Sequence, residues 1–205
     1  MAKFALGSPT SIPSGSADLP NLLASLGILV GTRTVTLPGE LECLRGRFRL
    51  NREEEESLLT ALDPILVTLG LVEPLLRRDL LQLRRGVAAS EEHLASFCRF
   101  HVHDDDEGRY VVAGSCQFGF FLPGLGDLCL TLGPGDYLRI PAGTEHWFSL
   151  GEQEILQAIR LFSSNSAMST TYTGRAHPPK WRTTASAKPE QLTGSAGGSI
   201  SRARS

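Results

Sequence analysis

Between residues 97 and 162 the chain is cut into short β-rich runs, and that texture restricts what it can become. The runs cover 97–103, 109–113, 117–122, 128–132, 137–140, 146–150 and 155–162, parted by turn signals such as Pro123-Gly124, Gly133-Pro134-Gly135 and Gly151. Many short strands at this spacing predict an antiparallel sandwich or barrel. At 205 residues the chain can support one well-developed core, or one core with an appended segment.

The first half has a different pattern. Asn51 stands as an N-cap, and Glu53 to Glu56 bring negative charge to the first helical turn, where the helix dipole favours it. Leu58, Leu59, Leu62 and Leu66 follow at helical spacing, with Pro64 expected to mark a break or a new helix start. A second amphipathic helix is expected from Pro74 to near Gly86, with Leu76, Leu80 and Leu83 as its apolar stripe and Arg77, Arg78, Arg84 and Arg85 in water. The glutamate and arginine runs read as solvated helix faces rather than binding sites. Residues 1–20 are rich in Gly, Ser and Pro without periodicity and are expected to be flexible. Residues 182–205 hold almost no large apolar side chain, so burial there cannot offset ordering entropy and a disordered polar tail is expected. The organisation is thus a single domain over 21–180, helical in its first part, with the motif-bearing core at 92–177.

Charge and composition remove several function classes. A formal net charge of -2 argues against a nucleic-acid partner, which requires a basic face. No stretch approaches the roughly 18 apolar residues of a membrane helix, and 22–30 is too short. The first 35 residues are arginine-poor, which gives a targeting peptide little support. Cys43, Cys98, Cys116 and Cys129 form no CxxC pair, so reduced, mostly buried thiols in a cytoplasmic (or, in a eukaryote, nuclear) protein are expected.

The chemistry is concentrated in His101-Val-His103-Asp-Asp-Asp-Glu107 and in His146. Side chains alternate along a strand, so His101 and His103 share a face, and Glu107 and Arg109 share their parity beyond a turn at Asp104 to Asp106. Gly135-Asp-Tyr-Leu-Arg-Ile-Pro141-Ala-Gly143-Thr-Glu-His146 brings a further imidazole on a strand that folds back against the first. Three imidazoles and one carboxylate around an open centre suit a divalent transition metal. Taken singly, each histidine would more often be structural; it is the ordered set with its glycines and proline that points to a metal. His93 and His177 fall outside the pattern and are expected at the surface.

The spacings His-x-His-x3-Glu-x6-Gly (His101, His103, Glu107, Gly114) and Gly-x5-Pro-x-Gly-x2-His (Gly135, Pro141, Gly143, His146) resemble the two signature motifs of the cupin superfamily. That resemblance implies a mainly β fold with N-terminal helices, a cupin double-stranded β-helix or jelly roll. Ala95 stands where the first motif usually has Gly, and Leu150 where the second often ends in Asn. A narrower likeness surrounds the ligands. Glu107-Gly-Arg109-Tyr110-Val-Val-Ala-Gly114, Pro141-Ala-Gly-Thr-Glu-His146-Trp147-Phe148, Ala158-Ile-Arg-Leu-Phe162 and Tyr172-Thr-Gly174 resemble, in order, the acireductone dioxygenase family. The likeness runs from about Glu92 to His177; Cys116 takes a place where the family commonly has Gly.

The resemblance implies a metal-dependent dioxygenase of methionine salvage. Its small-molecule substrate would be the acireductone 1,2-dihydroxy-5-(methylthio)pent-1-en-3-one, and its co-substrate O2. His101, His103, Glu107 and His146 would hold one Fe(II) or Ni(II) per monomer. With Fe(II) the family forms 4-methylthio-2-oxobutanoate and formate; with Ni(II) it forms 3-methylthiopropanoate, formate and carbon monoxide. Arg109 is placed to stabilise the enediolate anion as a catalytic and substrate-binding group, the bland alternative being a salt bridge to Asp104, Asp105 or Asp106. Phe148 shares parity with His146 and would line the pocket or simply fill the core. Trp147 faces the other way, toward packing. Another cupin oxygenase or isomerase, or a non-catalytic metal-containing cupin that binds a small molecule, remains open on motifs alone. A monomer is expected, with no nucleic acid and no membrane.

Overall fold

The computed structural model describes residues 2–7, 19–69, 71, 77–122, 126–162 and 169–176. In chain order the elements are β1 (Lys3–Gly7), α1 (Leu19–Ser25), β2 (Leu29–Thr32), α2 (Gly39–Glu42), α3 (Arg52–Thr68), β3 (Arg77–Arg84) and α4 (Ala88–Phe97). Then come β4 (His101–His103), β5 (Glu107–Gly114), β6 (Cys116–Leu122), β7 (Gly126–Leu132), β8 (Asp136–Ile140), β9 (His146–Leu150), β10 (Ile155–Phe162) and β11 (Thr170–Tyr172). They form two antiparallel sheets, β1-β7-β6-β9-β4-β11 and β2-β8-β5-β10-β3. This is the antiparallel sandwich expected from the runs and turns, in the jelly-roll form that the cupin resemblance implies. No helix among the described residues is long and apolar enough to cross a membrane.

Alternation along each strand sorts side chains into the layers. Val111, Phe118, Phe120, Leu130, Leu138, Phe148, Leu156 and Ala158 point between the sheets and make the main core. Their strand neighbours Tyr110, Val112, Ile159 and Leu161 point outward from the five-stranded sheet, where Leu58, Leu59, Leu62 and Leu66 of α3 cover them. On the outer face of the other sheet Trp147 packs with Phe100 and Cys129, on the packing side that its parity indicates. Trp147 lies directly over Gly119, whose missing side chain leaves room for the indole.

Helix α3 opens with a capping box: Asn51 Oδ1 accepts from the Glu54 amide at 2.9 Å, and Glu54 Oε2 accepts from the Asn51 amide at 2.9 Å. Pro64 neither breaks nor restarts the helix, which runs through it to Thr68. A proline inside a helix costs about 3 kcal/mol. Leu62 and Leu66 on either side are fully buried, and at roughly 2 kcal/mol each they outweigh that cost.

Four further expectations are corrected. Residues 77–84 are strand, not helix, and every one of them pairs with β10, from Arg77↔Phe162 to Arg84↔Ile155. Leu81 and Leu83 face the sandwich interior while Leu80 packs outward on the α3 cluster. With both faces covered, the strand loses its clean alternation and imitates a helical stripe. The expected helix start at Pro74 lies outside the described residues. The arginine and glutamate runs are also more than solvated faces, because Arg78 bridges Asp63 at 2.6 Å and Glu56 at 3.0 Å, tying β3 to α3. Residues 3–7, expected to be flexible, form β1 along β7. The expected disordered tail at 182–205 lies outside the described residues. Residue 97 ends a helix rather than opening a strand, and Ala95 sits exposed on that helix.

Replacing Gly119 by Ala is expected to force its methyl into the Trp147 ring and lower stability by about 1–3 kcal/mol, measured by urea denaturation. Asn51→Ala, which removes the cap without touching the core, is expected to cost about 1 kcal/mol in the same experiment.

Candidate metal centre

Both sheets contribute to a polar cluster inside an otherwise apolar interior, three side chains from one and one from the other. His101 and His103 project inward from β4, and His146 lies directly across from His101 on β9. Glu107 reaches the same point from β5 in the opposing sheet. All four side chains are buried. Turn chemistry holds the halves together. The Gly143 amide donates to the His103 carbonyl at 2.8 Å, so the Pro141-Ala-Gly143 turn docks onto the first motif, with Gly143 at φ +75°. Asp106 accepts from the Ala142 amide at 2.9 Å and from Arg139 at 2.7 Å, and Asp104 accepts from the Ser169 amide at 3.2 Å.

The imidazoles are oriented by backbone. Nδ1 of His101 donates to the Arg99 carbonyl at 2.7 Å, that of His103 to Ser169 at 2.9 Å, and that of His146 to Thr144 at 2.8 Å. A carbonyl oxygen can only accept, so Nδ1 carries the proton and each Nε2 presents a lone pair. These three Nε2 atoms are buried without any hydrogen-bond partner. One ligand atom from each of the three histidines lies within 4.8 Å of the others. Glu107 Oε2 stands 3.3 Å from His146 Nε2 and 3.7 Å from His103 Nε2. Acceptors facing acceptors in a dry interior need a cation between them. The donor set therefore fits a divalent ion of borderline softness.

Electrostatics favour neutral imidazoles at His101 and His103 and an ionised carboxyl at Glu107. Burial, reinforced by the nearby His146, pushes His101 down to about 4, and burial likewise lowers His103. Burial alone would raise Glu107, but the adjacent Arg109 cation outweighs it and holds the carboxyl well below the usual range. Arg109 donates from Nη2 to Glu107 Oε1, not to the aspartates of the neighbouring turn. Asp106 is engaged by Arg139 and Ala142, and Arg109 points inward on the parity of Glu107. Burial lowers Arg109 from its ordinary value, though a guanidinium keeps its charge at neutral pH. Its Nε and Nη1 are buried without partners, and the guanidinium lies 5.6 Å from the Phe118 and Phe148 ring centres.

A cavity opens over the cluster. His101, Glu107, Arg109 and His146 form its floor, Leu81, Phe97 and Phe148 its apolar walls, and His93 and Arg160 its polar rim. Phe148 both lines this cavity and belongs to the main core. His93, expected at the surface, is half-buried here, because residues 88–97 are a helix that turns it toward the sandwich. His177 lies outside the described residues. Arg160 was not singled out from the sequence as a site residue. Strand register places it opposite Arg109 on one side and Asp79 on the other, and it pairs with Asp79 at 2.7 Å and 2.8 Å. Cys116, beside the site, is buried and pushed up to about 12 by its apolar surroundings, so it is an inert thiol at neutral pH.

A family model described as the ARD/ARD' family matches residues 52–169. The chain belongs to the ARD/ARD' family. Relatives of this family include an acireductone dioxygenase of Trichodesmium erythraeum (strain IMS101), 35% identical over 156 residues, which cover 76% of this chain and 86% of the relative. Another, from Leptospira biflexa serovar Patoc, is 33% identical over 135 residues, 66% of this chain and 76% of its own length. Among solved structures, the acireductone dioxygenase from Bacillus anthracis with a cadmium ion in its active center superposes with a TM-score of 0.64. It is 23% identical and covers 72% of this chain and 84% of its own, a likeness that carries the ARD fold.

The metal-free protein is expected to lose stability on acidification through the histidines. His93 and His101 are each depressed from 6.5 to about 4. Above 6.5 both folded and unfolded states are neutral there, and the stabilisation is complete. As the pH falls from 6.5 toward 4 the unfolded chain binds protons that the folded one does not, so stability drops over that window. Urea midpoints of chelator-treated protein, measured across it, should decline; a flat profile would contradict the buried, neutral imidazoles.

Proposed function

We propose that this chain is a metal-dependent acireductone dioxygenase in which His101, His103, Glu107 and His146 hold one Fe(II) or Ni(II). The reading rests chiefly on one observation: three buried Nε2 lone pairs and a carboxylate converge with no proton donor among them. When bound, such an ion supplies a Lewis acid and a template on which an enediolate and dioxygen are brought together.

The remaining roles belong to the chain. Backbone carbonyls of Arg99, Thr144 and Ser169 lock the histidine tautomers, so no ligand must reorient before binding. Glu107 would offset part of the charge of a bound ion. Arg109, anchored to Glu107 through Nη2, keeps Nε and Nη1 as preset donors in a site shielded from water. Such donors stabilise negative charge on substrate oxygen far better than they would in solvent. Phe148, Phe97 and Leu81 supply the apolar wall against which a methylthioalkyl chain can lie.

The deciding experiment is reconstitution of the apoprotein with Fe(II) or Ni(II), addition of acireductone and O2, and identification of products. The Fe(II) protein is expected to give 4-methylthio-2-oxobutanoate and formate; the Ni(II) protein 3-methylthiopropanoate, formate and carbon monoxide. Absence of turnover with either metal, despite one bound ion per chain, overturns the reading. His101→Ala is expected to abolish stoichiometric metal binding, measured by elemental analysis after dialysis. Arg109→Met should retain the ion yet lose roughly 100- to 1,000-fold in kcat, the effect of removing a preset anion-stabilising donor.

A further inference from the structure

His93 and Arg160 are the cavity residues to which the reading above assigns no role, and of the two Arg160 is already paired with Asp79. His93 lies on α4 one helical turn before Phe97, and the two rings stack with centroids 4.6 Å apart. Phe97 in turn meets the His101 ring edge-on at 5.4 Å. Phe97 therefore sits between His93 and the metal-facing histidines, and both His93 and Phe97 line the same cavity. Neither ring nitrogen of His93 has a hydrogen-bond partner among the described residues. Burial and the nearby Arg160 and Arg109 cations lower it to about 4, so at neutral pH it offers one N–H donor and one acceptor. Its nitrogens, unlike the Nε2 atoms of the three inward histidines, are not shut off from solvent, so they are open to a group that enters the cavity.

We propose that His93 is a specificity-determining residue that touches the substrate and hydrogen-bonds the heteroatom of its side chain, on the far side of Phe97 from the metal ligands. The inference rests on the reading of this cavity as the acireductone site. A substrate whose enediol faces Arg109 and the histidines, and whose chain lies over Phe97, places its sulfur toward the His93 rim. A thioether sulfur is a weak acceptor, so His93 tunes selectivity among side chains rather than creating affinity. A rim formed only of Leu81, Phe97 and Phe148 would treat a thioether and a hydrocarbon tail nearly alike.

The test is anaerobic binding of two substrates to the metal-loaded protein: the methylthio enediol and its analogue with methylene in place of sulfur. Dissociation constants are measured for wild type, His93→Phe and His93→Gln. Phenylalanine keeps a ring against Phe97 but has no hydrogen-bonding atom, whereas glutamine keeps the hydrogen bond without the ring. The preference for sulfur, taken as the ratio of the two constants, is expected to fall by about threefold to fivefold in His93→Phe and to be largely kept in His93→Gln. Metal content should be equal in all three proteins. A ratio in His93→Phe within experimental error of wild type, or shifted toward sulfur, overturns the inference alone. Loss of the preference in both variants assigns the effect to ring packing and also overturns it. Failure of metal-loaded wild type to bind either enediol overturns the acireductone reading, and this inference with it.

Discussion

Everything at this site depends on three hydrogen bonds that do not touch it. The Nδ1 donors of His101, His103 and His146 are each spent on a backbone carbonyl, so three lone pairs must point inward. The carbonyls belong to residues 99, 144 and 169, at the mouths of strands whose positions are set by the sheet. Geometry at the centre is thereby transferred from flexible side chains to paired backbone. Glu107 completes the set from the opposing sheet, and the centre is a junction between the two halves of the sandwich.

The Arg109–Glu107 pair is the second element of this design. Removing one partner from a buried ion pair typically costs about 3–5 kcal/mol because the other charge is stranded. Here the carboxylate also faces two imidazole nitrogens, so a cation held among them would compensate it together with Arg109. The arginine is held by Nη2, while its buried Nε and Nη1 have no partner among the described residues. Phe118 and Phe148 flank the guanidinium and keep water from competing for those donors.

Much of this was legible in the residues before the fold was seen. Parity alone puts His101, His103, Glu107 and Arg109 on inward faces, and the glycine and proline turns place the strands that follow. Other parts were not legible. Residues 77–84 imitate an amphipathic helix because both faces of β3 are covered, and periodicity cannot tell a doubly buried strand from a helical stripe. Pro64 looked like an interruption because the local cost is visible in sequence and the burial of Leu62 and Leu66 is not. His93 had no neighbour in sequence to mark it; only the helix 88–97, with weak amphipathicity of its own, turns it to the cavity. The one signal for it in the sequence is its spacing of four from Phe97, one turn of a helix.

By itself the sequence determined the strand-rich sandwich, the inward parity of the ligand set and the family to which the set belongs. The first two follow from local rules, alternation along strands and the few residues able to make each turn; the family follows from the likeness of its motifs. Tertiary structure alone decided which nitrogen each histidine presents, which carboxylate Arg109 chooses, and that His93 and Arg160 complete the cavity. Those outcomes depend on distances between segments far apart in the chain, across two sheets and a helix, and no local pattern encodes them.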